Sequence, residues 1–547
     1  MQLKKINELI KNPSKLSNIF LRSYNNFRKK KLWNLFDEAL PSNEKILRNK
    51  QGETILIEGL WDNPNQFFRL SLFLDALTKS ENKNVIALLK NNTDRAKKTL
   101  ISMGIKDFIY LSDTPKNYED FSSSLNLLKN IKSHNDFLKF KLPFDFPPHI
   151  FYDTALKLEK VAQPNLNSEV WHNSLSDVFR LARFYKKLFS ERKITSIILS
   201  HPWKNEFGMA LTMGFKHKIK CYCLYGVYEM MRIRRYKNFD DLIKSPHESI
   251  SLKEFSILNN STRKSIEEAG KNYLETRSEG KNSDLNEQKA YSKKQSGEQL
   301  LLELGISDKK PIVTVFCHAW YDFPHIYGMK NFSDFLDWIN LTYKIALENK
   351  SVTWIFKPHP TETWYGGFFL KNLIKKDSKH IFVVDEQTSV NTILDITDSI
   401  VTVHGTIGIE AAAKGIPVLA ADQSYYSCWN FVETAKNRAE YIEKLKNIGK
   451  KKILSKEIIG AARAFAYLTI APAEEEINIE RLIADHTEPN RMFNDLINIC
   501  KNKKEILASQ SELIRNWINS ETNNFCIYHK INFHKVKSSQ DKFMETI

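Results

Sequence analysis

Short apolar runs of strand length alternate with helix-periodic segments twice along this chain, and a polar stretch at residues 275–298 divides the two series. Alternation of this kind forces parallel βαβ units, because each strand must return to the same sheet through a helix. The first series contains Thr54–Ile57, Val85–Leu89, Phe108–Leu111, Ser196–Leu199 and Cys221–Tyr225. The second contains Ile312–Phe316, Val352–Phe356, Ile381–Val384, Ile400–Val403 and Val418–Ala420. Leu336, Ile339, Tyr343 and Ala346 mark one intervening helix by their spacing. At 547 residues the chain exceeds one ordinary core. The expected division is a basic helical extension at 1–50, an α/β unit at 51–275, a linker at 276–298, a second α/β unit at 299–435 and helices at 436–547.

The formal net charge of +17 favours anionic partners: nucleic acid, anionic lipid or phosphorylated substrates. The basic residues form no recognisable nucleic-acid module, so no nucleic-acid partner is expected. Leu16, Phe20, Tyr24 and Phe27 recur at helical spacing, followed by Arg28-Lys29-Lys30-Lys31. Such a helix lies either on an anionic membrane surface or against its own domain with its lysines in water. Six scattered cysteines in no zinc or C-x-x-C spacing fit a reduced, cytoplasmic protein. No apolar run reaches the roughly 20 residues that a membrane span needs.

Two short loops carry the chemistry. Lys357-Pro358-His359-Pro360 follows a strand, and its two prolines fix the direction of the histidine between them. His359 and Lys357 are suited to a phosphate oxygen. His404-Gly405-Thr406-Ile407-Gly408-Ile409-Glu410 follows another strand and opens an alanine-rich helix. Gly405 and Gly408 permit close backbone approach, and the first helical N–H groups favour an anion. Glu410 is placed either to accept ribose hydroxyls or simply to complement the helix dipole. In an open α/β sheet ligands bind beyond the carboxyl ends of the strands. The loop from Cys317 to Asp322 shares that location, so His318 and Asp322 are candidates to line the same site; the alternative is a surface loop over a buried Trp320. Tyr425, Tyr426 and Trp429 are either ligand-stacking or core.

The KPHP turn followed by HGTIGIEAAAKGIPV resembles the C-terminal half of bacterial capsule and surface-polysaccharide glycosyltransferases, over about residues 310–435. Similar His-Pro motifs occur in bacterial sialyltransferases, Kdo transferases and polyglycerol-phosphate polymerases. The resemblance implies the GT-B architecture, two Rossmann-like domains facing across a cleft, here with helical N- and C-terminal extensions. It makes 51–275 the acceptor domain and 299–435 the nucleotide-sugar domain. It further implies a CMP- or CDP-type donor, with His359, Thr406 and the helix start at Gly408 on its phosphate and Glu410 on its ribose. One departure stands out: His404-Gly405-Thr406 carries one hydroxyl where related patterns often carry two. In the N-terminal half only Glu58 to Pro64 shares the likeness.

A base for the acceptor hydroxyl is expected from the N-terminal half. The candidates at strand ends are Asp62 first, His201 second, then Glu58 and Glu206; helix capping is the other role open to Asp62. Arg232, Arg234 and Arg235 read as following a strand, where they clamp an anion or form a solvated basic face. The expected activity is metal-independent transfer of a sugar from a nucleotide donor to a surface polysaccharide or lipid-linked glycan, with no separate cofactor. The expected location is cytoplasmic, with the basic N-terminus favouring the inner membrane face. The rival readings are a nucleotide-sugar epimerase of the same fold and a non-catalytic glycan- or nucleic-acid-binding protein.

Overall fold

The computed structural model describes residues 28–526 apart from 48–51, 79–82, 130, 228–229, 244–250, 281–284, 293–294, 308, 366–368, 375–378, 450–452, 473–477, 485–487 and 521. The amphipathic positions Leu16, Phe20, Tyr24 and Phe27 lie outside the described residues. The chain divides into two compact units, Met1–Tyr110 with Glu475–Glu521, and Leu111–Glu474 with Thr522–Ile547.

The first unit holds β1 (Ile46–Leu47), β2 (Thr54–Gly59), β3 (Lys83–Leu89) and β4 (Asp107–Tyr110). All pairings are parallel: β2 takes one edge of β3, while β1 and β4 share the other end to end. Every residue of β2 is buried, which is why its centre, Ile55–Ile57, reads as an apolar run without alternation. The Pro64–Thr78 helix joins β2 to β3, and two helices from the far end of the sequence, Pro489–Asn502 and Lys504–Ile518, pack on it. Arg69 binds Glu480 through two hydrogen bonds of 2.7 Å, and Ser511 Oγ donates to Asp75 at 2.5 Å. Part of the helical extension expected after residue 436 thus completes the N-terminal unit.

The second unit contains two sheets. In the first, β5 (Ile194–Leu199) runs parallel to β6 (Lys220–Val227), which pairs antiparallel with β7 (Met230–Tyr236). The other is built of β8 (Ile312–Phe316), β9 (Thr353–Lys357), β10 (Ile381–Val383), β11 (Ser399–Thr402), β12 (Val418–Ala420) and β13 (Glu433–Thr434). All its pairings are parallel, in the order β10-β9-β8-β11-β12-β13. Read by position along the chain, that is 3-2-1-4-5-6, the doubly wound order. A final strand, β14 (Asn524–Cys526), pairs antiparallel with β7.

The α/β class and the strands expected from the sequence are present. Two local readings change. Arg232, Arg234 and Arg235 lie on β7 rather than after a strand, and its pairing with β6 and β14 leaves Arg232 and Arg234 buried. The polar stretch taken as linker includes the end of the Asn260–Ser278 helix, a further turn of helix at Leu285–Ala290 and a buried Tyr291.

The Asn260–Ser278 helix crosses the Lys456–Thr469 helix at Gly270, where an added Cβ would stand 1.9 Å from the Arg463 carbonyl oxygen. A backbone atom cannot rotate away. Alanine gains about 1 kcal/mol of helix propensity over glycine, yet the two helices must separate to admit it. Gly270→Ala is therefore expected to lower stability by about 1–3 kcal/mol net, read as a fall in the urea midpoint.

Candidate functional site

The strand order reverses between β8 and β11, so their following loops diverge and leave a crevice at their carboxyl ends. His318 follows β8 and His404 follows β11. His318 Nε2 lies 3.3 Å from both Val403 N and Thr402 Oγ1 and 3.5 Å from His404 N. Because backbone N–H groups can only donate, Nε2 is the bare nitrogen. The His318 ring stacks on Phe335 at 4.4 Å and meets the His404 ring at 4.6 Å. His404 also contacts Tyr327 edge-on, and its Nδ1 is buried with no hydrogen-bond partner among the described residues. Burial holds His318 well below the usual imidazole pKa and His404 at about 3.

The next loop outward follows β9. His359 Nδ1 accepts from Thr361 N at 3.3 Å and lies 2.8 Å from Thr361 Oγ1. The ring proton therefore sits on Nε2. Burial lowers this imidazole to about 4, so it is neutral at physiological pH. Lys357 has a different setting. Its ammonium is buried against the carbonyls of Asp385 (3.3 Å), Glu386 and Pro358 (3.4 Å), and burial lowers its pKa to about 8. It ties the KPHP turn to the loop after β10.

Thr406 starts the Ile407–Ala413 helix without a side-chain cap. Gly408 is compelled by packing, since a Cβ there would meet the Tyr426 hydroxyl at 2.4 Å, and that hydroxyl donates to the Gly405 carbonyl at 2.9 Å. Glu410 is 8% exposed and holds Arg277 Nε at 3.1 Å and the Tyr291 hydroxyl at 2.5 Å. Its carboxylate thus has partners within the fold. Tyr425, Tyr426 and Trp429 are buried and pack around Phe465. Trp320 is also buried, with its indole N–H on Glu362 at 3.0 Å.

The loop from Cys317 to Asp334 is fixed by contacts that the sequence did not suggest. Asp422, after β12, accepts from Lys330 N (2.8 Å) and Asn331 N (2.5 Å). Asp334 caps the Phe335–Glu348 helix through Asp337 N and accepts from the Tyr152 hydroxyl at 2.6 Å and Gln163 at 2.8 Å. Asp322 pairs with Lys157 at 2.9 Å. Both Asp153 oxygens bind His325, one at the ring Nδ1 (2.6 Å) and one at the backbone N–H (3.1 Å). Tyr152, Asp153 and Lys157 all come from the Pro148–Glu159 helix, which also carries His149. One sequence signal was present: Pro324-His325 repeats the proline–histidine pairing of the KPHP turn, two residues beyond the loop from Cys317 to Asp322.

The four expected catalytic candidates fall in both units. Asp62 is exposed and accepts from Ala96 N at 3.0 Å, capping the Asp94–Ser102 helix. Asn63, not Asp62, serves the Pro64–Thr78 helix by accepting from Gln66 N at 3.3 Å. Glu58 is buried and accepts from Leu60 N at 2.9 Å. His201 and Glu206 belong to the second unit. His201 stacks on Trp203 and meets Phe207 edge-on at 4.4 Å; burial lowers its pKa to about 4. Trp203 in turn meets Phe323 at 5.9 Å, which brings the loop after β5 to the loop after β8. A separate cavity of about 630 Å³ lies at the opposite, amino ends of β11 and β12, among Ser399, Val418, Glu440 and Lys444, away from these groups.

No protein-family model matches the chain, and no curated protein does. Among solved structures it is similar to the β-Kdo 2,4 transferase of Thermosulfurimonas dismutans KpsC, at 13% identity over 50% of this chain and 79% of that one, TM-score 0.32. It is also similar to the β-Kdo 2,7 transferase of the same organism's KpsC, at 13% identity over 57% and 85%, TM-score 0.32. A third is Methanocaldococcus jannaschii UDP-GlcNAc 2-epimerase in complex with UDP-GlcNAc and UDP, at 14% identity over 76% and 98%, TM-score 0.27. Likenesses this loose leave function to be argued from the site itself. Among the described residues, no helix is long and apolar enough to cross a membrane.

Burial holds five imidazoles below their ordinary value of 6.5: His149 and His404 at about 3, His201 and His359 at about 4, and His318 well below it. The unfolded chain therefore binds these protons first. Their stability contribution is whole above about pH 6.5 and is lost as pH falls towards 4 and then 3. The urea midpoint should fall steeply between about pH 6.5 and 4, and replacing His404 with Asn should make that fall shallower.

Proposed function

We propose that this protein is a GT-B-type glycosyltransferase that moves a sugar from a nucleotide-activated donor to a glycan of surface-polysaccharide type. One observation carries the reading. The crevice at the switch point of a doubly wound sheet is lined by neutral, desolvated imidazoles, and His359 is fixed with its Nε2–H available as a donor. An N–H preset in a water-poor site stabilises charge developing on a leaving phosphate oxygen. A neutral imidazole can do so at physiological pH, where a carboxylate would repel the same group.

In this reading His359 holds the donor phosphate, and Thr406 with the Gly405 turn contributes beside it. His404 lines the crevice, and His318 keeps the two loops together. Lys357 acts by holding the KPHP turn in place. Glu410 shapes the donor pocket through Arg277 and Tyr291, and a ribose contact would share its carboxylate with them. The acceptor side is proposed to include Asp322 and the loop after β5, where His201 and Glu206 stand. Asp62 and Glu58, in the first unit, accept from Ala96 N and Leu60 N there and are given no part in this crevice. The donor is proposed to be of CMP or CDP type, by the resemblance of the His-Pro motif.

A panel of CMP, CDP, UDP and GDP should contain at least one nucleotide that raises the melting temperature. His359→Ala should abolish that rise. If none of the four shifts the wild-type protein, the donor site is refuted. A chelator should leave the shift unchanged. Incubation with a nucleotide sugar alone should return the sugar unaltered; a changed sugar would instead indicate an epimerase.

A further inference from the structure

His325 is 3% exposed, and Asp153 grips it through ring and backbone at once. Nothing in the donor site described above uses this pair. Its two residues stand 172 positions apart in sequence, one on the Pro148–Glu159 helix and one in the loop after β8. The second ring nitrogen, Nε2, is buried and has no hydrogen-bond partner among the described residues. The same holds for His149 Nε2 and His404 Nδ1. The His149 and His325 rings are 6.2 Å apart, and His325 is close enough to depress the pKa of His404. His404 in turn touches His318 at the switch point. A buried polar nitrogen left unmatched by protein points to a ligand or solvent contact at that spot. Here three such nitrogens belong to neighbouring rings, and the His404 ring among them borders the crevice.

We propose that His325 is the base that takes the proton of the acceptor hydroxyl, with Asp153 as its positioning residue. The proposal rests on the transferase reading above. A carboxylate on Nδ1 fixes the tautomer with a bare Nε2 and stabilises the imidazolium that forms, the logic by which a third group orients a catalytic histidine. In the transfer step the acceptor O–H bond breaks. Its electron pair becomes the new bond to the anomeric carbon, and its proton passes to His325 Nε2, directly or through one water. The bond from the anomeric carbon to the donor phosphate oxygen breaks, and its electron pair stays on that oxygen and leaves with the nucleotide, whose charge His359 meets. The charge on His325 faces Asp153, and the proton then passes to solvent. The other titratable and charged groups around the pair are His149 and Tyr152 on the same helix as Asp153, Asp322 and Lys330 on the loop of His325, His404 after β11 and Asp422 after β12.

Two measurements on the full chain test this. Histidine-selective ¹⁵N NMR should show His325 protonated on Nδ1 with Nε2 bare, and Asp153→Asn should shift the proton to Nε2. A wild-type His325 already protonated on Nε2 overturns the proposal. Separately, His325→Ala should keep the nucleotide-induced rise in melting temperature while losing transfer by about 10²–10⁴-fold, assayed as the nucleotide release from CMP-, CDP-, UDP- and GDP-sugars that depends on an added surface-polysaccharide acceptor. Asp153→Asn should also lower turnover and shift its pH profile, with nucleotide binding retained. Release within about threefold of wild type in His325→Ala overturns the base assignment. Absence of any nucleotide shift in the wild type is a different failure: it removes the donor reading and, with it, the base.

Discussion

The reversal of strand order at β8 governs the layout of the doubly wound sheet in the second unit. Because β8 is the first strand laid down and ends in the middle of its sheet, the chain must leave it on one side and return on the other. The loops after β8 and β11 cannot cover the same ground. What fills the gap between them is a group of imidazoles rather than aliphatic side chains. That choice has an electrostatic cost, since a buried imidazole resists charging, and the protein meets it by leaving the rings neutral. His318 is the clearest case. Its bare nitrogen receives amide protons from the opposite loop, so one ring both closes the gap and forbids its own protonation.

The neutrality of these rings separates two kinds of work that a charged site would merge. Lys357 is cationic chemistry turned inward, to three backbone carbonyls. His359 is a neutral ring whose proton sits on Nε2. Glu410, Arg277 and Tyr291 form a buried polar cluster that ties the Asn260–Ser278 helix and the segment beyond it to the helix after β11. Charge is thus spent on holding loops, while the crevice itself is lined by groups that can give or take a proton.

Much of this was legible in the sequence, and what was not has a physical reason. Strands buried on both faces read as continuous apolar runs, so the α/β class and the order of elements were visible. KPHP and HGT stood out because proline and glycine restrict or free the backbone locally, within a few residues. Gly408 illustrates the limit: the sequence shows that a side chain is excluded, and only the fold shows that Tyr426 is what excludes it. Asp153 carried no local signature and His325 only the proline before it, because their meaning lies in a contact across 172 positions. The partners of Glu410, at residues 277 and 291, were hidden in a stretch too polar to suggest burial. The arginines of β7 misled for the same reason, since a strand covered by β14 can bury charges that composition assigns to the surface.

The pairing of β7 with β14 also bears on how the chain is made. Arg234 lies opposite Asn524, about 290 positions later. Translation at roughly 5–20 residues per second separates the two by about 15–60 seconds. For that interval one edge of β7 has no permanent neighbour, and the whole of the doubly wound sheet is made before that neighbour arrives. An uncovered strand edge invites pairing with other chains. The cationic side chains at 232, 234 and 235 occupy the strand that waits longest, where like charges on neighbouring nascent chains repel.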